Sequence, residues 1–154
     1  MSLGRISGGC QCGAVRYSAD SLGRSSVCHC RMCQRAVGNV SAPLVVATGI
    51  VWQGTPATWA SSNISERGFC STCGTPLFLR DFEAPDGECE IMIATLDDPE
   101  LAPPAYHVGV ESRVSWVKLA DGLPVFDSGM TDGAQPRTIT SNQYPIHREV
   151  RETR

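Results

Sequence analysis

Seven of the eight cysteines lie in three tight groups whose spacing suits metal ligation. The groups are Cys10-Gln11-Cys12, Cys28-His29-Cys30-Arg31-Met32-Cys33 and Cys70-Ser71-Thr72-Cys73. A disulfide across such short spacings is strained, whereas thiolates converge readily on one ion. Residues 1–9 contain no apolar run typical of a secretory signal, so we expect a cytoplasmic protein with reduced cysteines. Zinc ligation is therefore favoured over the alternative, a disulfide framework.

The first and third groups predict a closed, structural zinc site. In both groups a glycine follows the second cysteine at once. A zinc-binding turn directs backbone N–H groups at sulfur, and glycine reaches the positive φ values that such turns require. Two turns of this kind commonly supply two ligands each to a tetrahedral Cys₄ site. We therefore expect one zinc ion, which contributes to folding, on Cys10, Cys12, Cys70 and Cys73; the alternative is four buried cysteines without a ligand.

The middle group predicts a zinc site of a different kind. No glycine follows Cys33, and the surrounding residues favour a helix. Cys30 and Cys33 are three residues apart and share one side of a helical turn, while Cys28 just precedes it. A helix N-terminus stabilises thiolates through its free N–H groups and its dipole. Three protein ligands leave one tetrahedral position open, which is typical of catalytic zinc.

A fourth protein ligand would close this site and make it structural. The candidates are Cys89, His29 and His107. Cys89 stands outside the three groups, but the apolar residues that follow it indicate a half-buried strand position, where a lone cysteine usually packs. His29 is also a candidate proton carrier, although a histidine between ligands often points away and hydrogen-bonds locally.

Two arginines and three aromatic residues are candidates for contact with the organic part of a substrate. Arg31 and Arg35 lie four residues apart on the predicted helix and would attract carboxylates. The same spacing also describes an ordinary charged helix face. The aromatic residues either line a pocket or belong to the core; they are Trp52, Trp59 and Phe69.

The elements that position these residues are predicted to be mainly β. Apolar segments between glycine-rich turns favour antiparallel strands at Ala14–Ala19, Leu44–Ala47, Ile50–Trp52, Pro76–Asp81, Glu90–Thr95 and Ser112–Lys118. Trp116, in the last segment, is expected to be buried. Between Cys28 and Val37 the alternation stops and helix formers dominate, so we expect one short helix with Gly38 as its C-cap.

Length and composition fit one domain followed by a tail. The chain has 154 residues, of which 42% are hydrophobic and 19% charged. Residues 128–154 have few large apolar side chains and no periodicity, which predicts an extended or disordered tail. A net charge of -3 without a Lys/Arg block argues against nucleic acid as a partner. No stretch approaches the roughly 18 apolar residues of a membrane span, and nothing in the sequence indicates the oligomeric state.

Three motifs together resemble the glutathione-dependent formaldehyde-activating enzyme family, which is also called the CENP-V/GFA domain. They are GGCQCGAVRY at residues 8–17, CHCRMCQR at residues 28–35 and RGFCSTCGTPL at residues 67–77. The segments SRVSWV at residues 112–117 and DGLP at residues 121–124 are similar to the end of the family's domain. The resemblance covers residues 5–127.

This resemblance implies a GFA-type zinc-binding domain with a mainly β, Mss4-like fold of antiparallel sheets. It implies two zinc ions per chain: a structural one on Cys10, Cys12, Cys70 and Cys73, and a catalytic one on Cys28, Cys30 and Cys33. The implied activity is that of a carbon–sulfur lyase of the S-(hydroxymethyl)glutathione synthase type, which adds a small thiol, glutathione, to an aldehyde, formaldehyde. Two alternatives remain: the same chemistry on another thiol or aldehyde, and a non-enzymatic Mss4-like binding module.

Overall fold

The computed structural model describes residues 6–128 and 137–145 of the chain. Over these residues the protein is mainly β with one short α-helix, which confirms the predicted fold class. The strands form a three-stranded sheet and an eight-stranded sheet. Within the described part, no helix is long and apolar enough to span a membrane.

Most strands are short. The elements are β1 (Ile6–Gly9), β2 (Arg16–Ala19), β3 (Ser21–Cys28), α1 (Arg31–Val37), β4 (Ala42–Thr48), β5 (Val51–Gln53), β6 (Ala57–Ala60), β7 (Ser65–Phe69), β8 (Pro76–Asp81), β9 (Cys89–Met92), β10 (His107–Val108) and β11 (Val125–Phe126). Three short 3₁₀ helices cover Ile93–Thr95, Pro99–Leu101 and Val110–Ser112. The small sheet has the order β1-β2-β5, and the large sheet has the order β11-β10-β3-β4-β9-β8-β7-β6. Pairing is antiparallel as expected, except that β10 runs parallel to both β3 and β11.

The two faces of the large sheet have different surroundings, because side chains alternate along each strand. One row of paired residues belongs to the main core together with Tyr17 of the small sheet; it consists of Val45, Ile91 and Phe78. The adjacent row lies on the opposite face and consists of Val46, Glu90, Leu79 and Arg67. This second face turns toward the cysteines at the junction of β3 and α1.

Helix α1 begins directly after Cys30 and ends before Gly38. The Cys33 backbone N–H donates to the Cys30 sulfur at 3.4 Å, so a cysteine serves as the N-cap. Gly38 adopts a φ of 64° and its N–H donates to the Gln34 carbonyl, which confirms the predicted C-cap. Through Cys33 the helix packs against β4 and β9.

The predicted strand Ser112–Lys118 is wrong. This segment ends a 3₁₀ helix and continues as a turn in which the Val117 N–H donates to the Val114 carbonyl at 3.1 Å. Trp116 is 71% exposed instead of buried. The local turn hydrogen bond takes the place of a cross-strand partner, so the apolar alternation in this segment does not correspond to a buried face.

The predicted strand Glu90–Thr95 is correct only as far as Met92. The Thr95 hydroxyl donates to the Met92 carbonyl at 2.8 Å, and the Leu96 N–H donates to the Ile93 carbonyl at 3.0 Å. These bonds close a 3₁₀ turn that a run of apolar residues does not reveal. The other four predicted strands are present, with ends that differ by at most two residues.

Of the predicted tail, residues 129–136 and 146–154 lie outside the described residues. Residues 137–145 contain no helix or strand, and Ser141 forms an isolated antiparallel bridge with Ser62 in the β6–β7 connection. The limits of the domain at 5–127 remain a prediction.

Candidate metal centres

The structure brings the cysteines that follow β1 and β7 together. The four sulfurs all lie within 4.8 Å of one another. Cys10 Sγ is 3.5 Å from Cys12 Sγ, which is 3.8 Å from Cys70 Sγ. Tetrahedral zinc with Zn–S bonds of about 2.3 Å places its sulfurs about 3.8 Å apart. The donor set Cys10, Cys12, Cys70 and Cys73 therefore fits zinc.

Two matching turns present these sulfurs. The Gly13 N–H donates to the Cys10 carbonyl at 3.1 Å, and the Gly74 N–H donates to the Cys70 carbonyl at 2.8 Å. Both glycines have positive φ, 79° and 76°, while a Cβ on either would meet no neighbour. Backbone conformation, and not lack of space, is therefore the reason for glycine here. The Val15 N–H adds a hydrogen bond to the Cys10 sulfur at 3.3 Å.

The structure also brings together the three cysteines around the start of α1. Cys28 ends β3, Cys30 caps the helix and Cys33 lies in its first turn. Their sulfurs lie within 4.8 Å of one another, a spacing that again suits three corners of a zinc tetrahedron. We call this group the three-cysteine cluster.

Hydrogen bonds among the three thiols shift the pKa values of the cluster cysteines in different directions. Hydrogen bonds from the thiols of Cys28 and Cys33 lower the pKa of Cys30 to about 2. The pKa of Cys28 is raised, because its thiol is a donor to Cys30. Each sulfur can thus hold negative charge with help from its neighbours, and a divalent cation bound there would take the place of the shared protons.

None of the three candidates for a fourth ligand joins this cluster. Within residues 6–128 and 137–145, the groups whose ligand atoms lie within 4.8 Å of one another include neither Cys89 nor a histidine. Cys89 is buried at the start of β9, and burial raises its pKa to about 12. It is therefore a packed strand thiol. The three-cysteine cluster keeps one position free of protein ligands from the described part of the chain.

The two histidines form a chain that leads away from the cluster. His29 Nε2 is 2.9 Å from His107 Nδ1, and His107 Nε2 is 2.9 Å from Asp121 Oδ2. The His29 backbone is fixed on both sides, because its N–H donates to Val108 and its carbonyl accepts from Gln34. His29 is buried, and burial lowers its pKa. Its interactions hold the loop between Cys28 and Cys30 in place.

Arg67 contacts the cluster and was not among the residues predicted from the sequence. It is 8% exposed, and its Nη2 donates to Cys33 Sγ at 3.5 Å. Its Nε and Nη1 are buried without a hydrogen-bond partner in the described part of the chain. A buried cation with unpaired donors needs a nearby negative charge, which the cysteine sulfurs and the Glu90 carboxylate can supply. The β7 sequence SERGF has no apolar alternation. The sequence therefore predicted neither the strand nor the inward direction of the Arg67 side chain.

The three-cysteine cluster opens into a cavity of about 650 Å³, which we call the cysteine cavity. Its wall includes all three cysteines, Met32 of α1 and Cys89. Apolar residues and charged residues of both signs also line it; the charged ones are Arg24, Arg67, Arg137, Asp81, Glu83, Glu88 and Glu90. A wall of mixed charge suits a polar ligand that carries charges of its own.

A second cavity of about 510 Å³ lies beside the first, and Arg67 lines both. Trp59 and Phe69, which are 47% and 37% exposed, belong to its wall and not to the core. Trp52 instead packs between the rings of Tyr17 and Phe78 in the core. The sequence alone did not decide between a pocket wall and the core for these three aromatic residues.

The helix arginines differ in their contacts. Arg35 lines the second cavity and donates to the Tyr144 carbonyl at 2.5 Å. Arg31 bonds the Gln34 side chain on its own helix at 2.7 Å. A role for either in attracting a carboxylate remains a prediction.

Comparison with known proteins identifies the family. A sequence model described as glutathione-dependent formaldehyde-activating enzyme matches residues 5–112. Among curated proteins no match is found. A crystal structure of a Rhodobacter sphaeroides protein, a structural-genomics target, is 20% identical, covers 78% of this chain and 98% of its own, and superposes with a TM-score of 0.46. Because the sequence model spans well over half of the chain, the protein belongs to the glutathione-dependent formaldehyde-activating enzyme family.

Proposed function

We propose that this protein is a zinc enzyme that adds a small thiol to an aldehyde, with glutathione and formaldehyde as the pair named by its family. One observation carries the proposal: three cysteine sulfurs converge at the wall of a cavity with no fourth ligand from the described part of the chain. A binding module gains nothing from such an open position, whereas an enzyme needs it.

Two donor sets would hold the metal. Cys10, Cys12, Cys70 and Cys73 would bind a structural zinc ion, and Cys28, Cys30 and Cys33 a catalytic one. When bound at the three-cysteine cluster, zinc supplies the positive charge that lowers the pKa of a thiol entering its fourth position.

The reaction forms a C–S bond and an O–H bond, and it breaks the S–H bond of the thiol and the π bond of the carbonyl. The substrate thiol loses its proton, its sulfur bonds to the aldehyde carbon, and the π electron pair of the carbonyl moves to oxygen, which then takes up a proton. The cavity wall holds the thiol and the aldehyde beside each other, which converts an encounter of two molecules into a local step. Arg67, next to Cys33, offsets the negative charge that the thiolates gather there.

The test is exchange NMR of glutathione with formaldehyde, because the adduct also forms without an enzyme. We expect zinc-loaded protein to raise the rate of exchange between free and adduct glutathione above the rate in buffer. The variant Cys30→Ser should lose this increase while keeping its circular dichroism spectrum and the ion of the four-cysteine site. An unchanged rate with the intact protein would reject the activity, and global unfolding of Cys30→Ser would indicate a structural role for the cluster.

A further inference from the structure

Residues 137–145, which we call the strap, lie outside the part of the chain that matches the family. They are nevertheless tied closely to it. The Asn63 N–H donates to the Thr140 carbonyl at 3.1 Å, and the Thr140 N–H donates to Asn63 Oδ1 at 2.7 Å. Asn142 donates to the carbonyls of Ser61 and Ala60, both at 2.9 Å. The middle of the strap is thus fixed along the β6–β7 connection.

The two ends of the strap contact different elements. At one end, Arg137 pairs with Asp81 and Glu83 at the end of β8. At the other end, the Gln143 side chain donates to the Met32 carbonyl of α1 at 2.9 Å. The strap therefore connects the large sheet with the helix that carries Cys33.

Two strap side chains belong to the wall of the cysteine cavity: Arg137 and Ile139. Ile139 is 58% exposed although it is a large apolar residue. A solvent-exposed isoleucine in a cavity that also contains the zinc ligands offers apolar surface to a molecule bound there. Thr138 and Thr140, on either side of Ile139, are exposed too, but neither lines this wall. Both form hydrogen bonds with the Asn63 side chain through backbone atoms.

We propose that the strap determines which thiols the enzyme accepts, with Ile139 contacting the organic part of the thiol and Arg137 holding the strap in position. The inference rests on the proposed function, because it assumes a thiol sulfur at the three-cysteine cluster. Cavities of about 300–1,000 Å³ hold organic ligands of tripeptide size, and 650 Å³ falls in this range. Because the cysteines and Ile139 line the same cavity, we expect a thiol of that size to contact both, and 2-mercaptoethanol to be too small to do so.

The test measures thiol binding directly, with cobalt(II) in place of zinc. Glutathione and 2-mercaptoethanol are titrated separately, and each dissociation constant is read from the sulfur-to-cobalt charge-transfer absorption. The four-cysteine site contributes a constant background. We expect Ile139→Ala to weaken glutathione binding about three- to tenfold and to leave 2-mercaptoethanol unchanged. Arg137→Ala should act in the same direction, and Thr138→Ala is the matched control that should change neither.

The possible results distinguish a failure of the role proposed for the strap from a failure of the proposed function. If Ile139→Ala leaves glutathione binding unchanged, or weakens both thiols equally, the strap does not select the thiol, while the proposed function stands. If neither thiol alters the spectrum of the intact cobalt protein, both the proposed function and the role of the strap are wrong.

Discussion

Arg67 Nη2 donates to Cys33 Sγ across 3.5 Å, although the two residues are 34 positions apart and lie on different elements. The contact joins β7 to α1 at the three-cysteine cluster. If the cluster holds a zinc ion on three thiolates, one net negative charge would be left, which the guanidinium would balance. Because Arg67 Nε and Nη1 have no hydrogen-bond partner in the described residues, burial of the arginine depends on the negative charge around it, from the cluster and from Glu90.

The first prediction concerns Arg67 and zinc affinity. Arg67→Met should weaken zinc at the three-cysteine cluster by about 10–100-fold and leave the four-cysteine site unchanged. Arg67→Lys, which keeps the charge but loses the fixed guanidinium geometry, should restore part of the affinity. The measurement is competition for zinc with a chromophoric chelator, in which the two ions are released in separate steps. Equal weakening in the two variants, or loss of both ions together, would show that Arg67 acts by packing and not by charge.

The second prediction separates the cysteines by zinc content. Intact protein should hold two zinc ions per chain, Cys30→Ser one, and Cys89→Ala two, because Cys89 lies in neither cluster. Cys70→Ser should instead unfold the chain, since the four-cysteine site ties the turn after β1 to the turn after β7. Elemental analysis and circular dichroism of freshly purified, zinc-reloaded proteins provide the measurement. Loss of an ion from Cys89→Ala would make Cys89 the missing fourth ligand and close the site.

Both clusters were predictable from the sequence because their geometry is local. A glycine at positive φ after Cys12 and after Cys73 shapes each turn, and three-residue spacing puts Cys30 and Cys33 on one side of a helical turn. Each of these features involves residues only a few positions apart, so the spacing of the cysteines and glycines is enough to predict it. Only the meeting of the Cys10 and Cys12 turn with the Cys70 and Cys73 turn depends on the whole fold.

Contacts made between distant elements were not predictable in this way. The partner of Arg67 lies on α1, and β7 has no alternation that reveals the direction of its side chains. Trp116 shows the opposite error, because its alternating neighbours indicated a strand where a turn forms. A pattern of apolar residues shows which side chains suit burial, and the tertiary partners decide which are buried.

The third prediction concerns the pH dependence of the strap. Hydrogen bonds from Arg137 hold the pKa of Asp81 below its ordinary value of 3.8. A carboxylate with a lowered folded-state pKa stabilises the fold above its ordinary pKa, and this contribution is lost as pH falls through the lowered value. The strap should therefore stay attached between pH 7 and pH 5. Hydrogen exchange at the Asn63 and Thr140 amides, corrected for intrinsic rates, should show equal protection at both values.

The role of the Arg137–Asp81 pair can also be tested at neutral pH, with a variant of Asp81. Asp81→Asn should loosen the strap and speed tryptic cleavage after Arg137, because the carboxylate partner is gone. Asp97→Asn is the matched control, since Asp97 pairs with Arg16 away from the strap. Protection that disappears between pH 7 and pH 5, or equal cleavage in the two variants, would show that the Arg137–Asp81 pair does not hold the strap.

The fourth prediction tests the packing that fixes Arg67 in the sheet. A Cβ added at the neighbouring Gly68 would overlap the ring of Phe78, which is 3% exposed and packs against Trp52. The added Cβ would force the ring to shift away from its packing against Trp52, so Gly68→Ala should lower the free energy of unfolding by about 1–3 kcal/mol. Gly23→Ala is the control, because its Cβ would meet Val46 at an ordinary 3.7 Å, and its effect should stay within about 0.5 kcal/mol. Urea unfolding in excess zinc measures both, and similar losses in the two variants would mean that backbone freedom, and not the contact with Phe78, requires glycine next to Arg67.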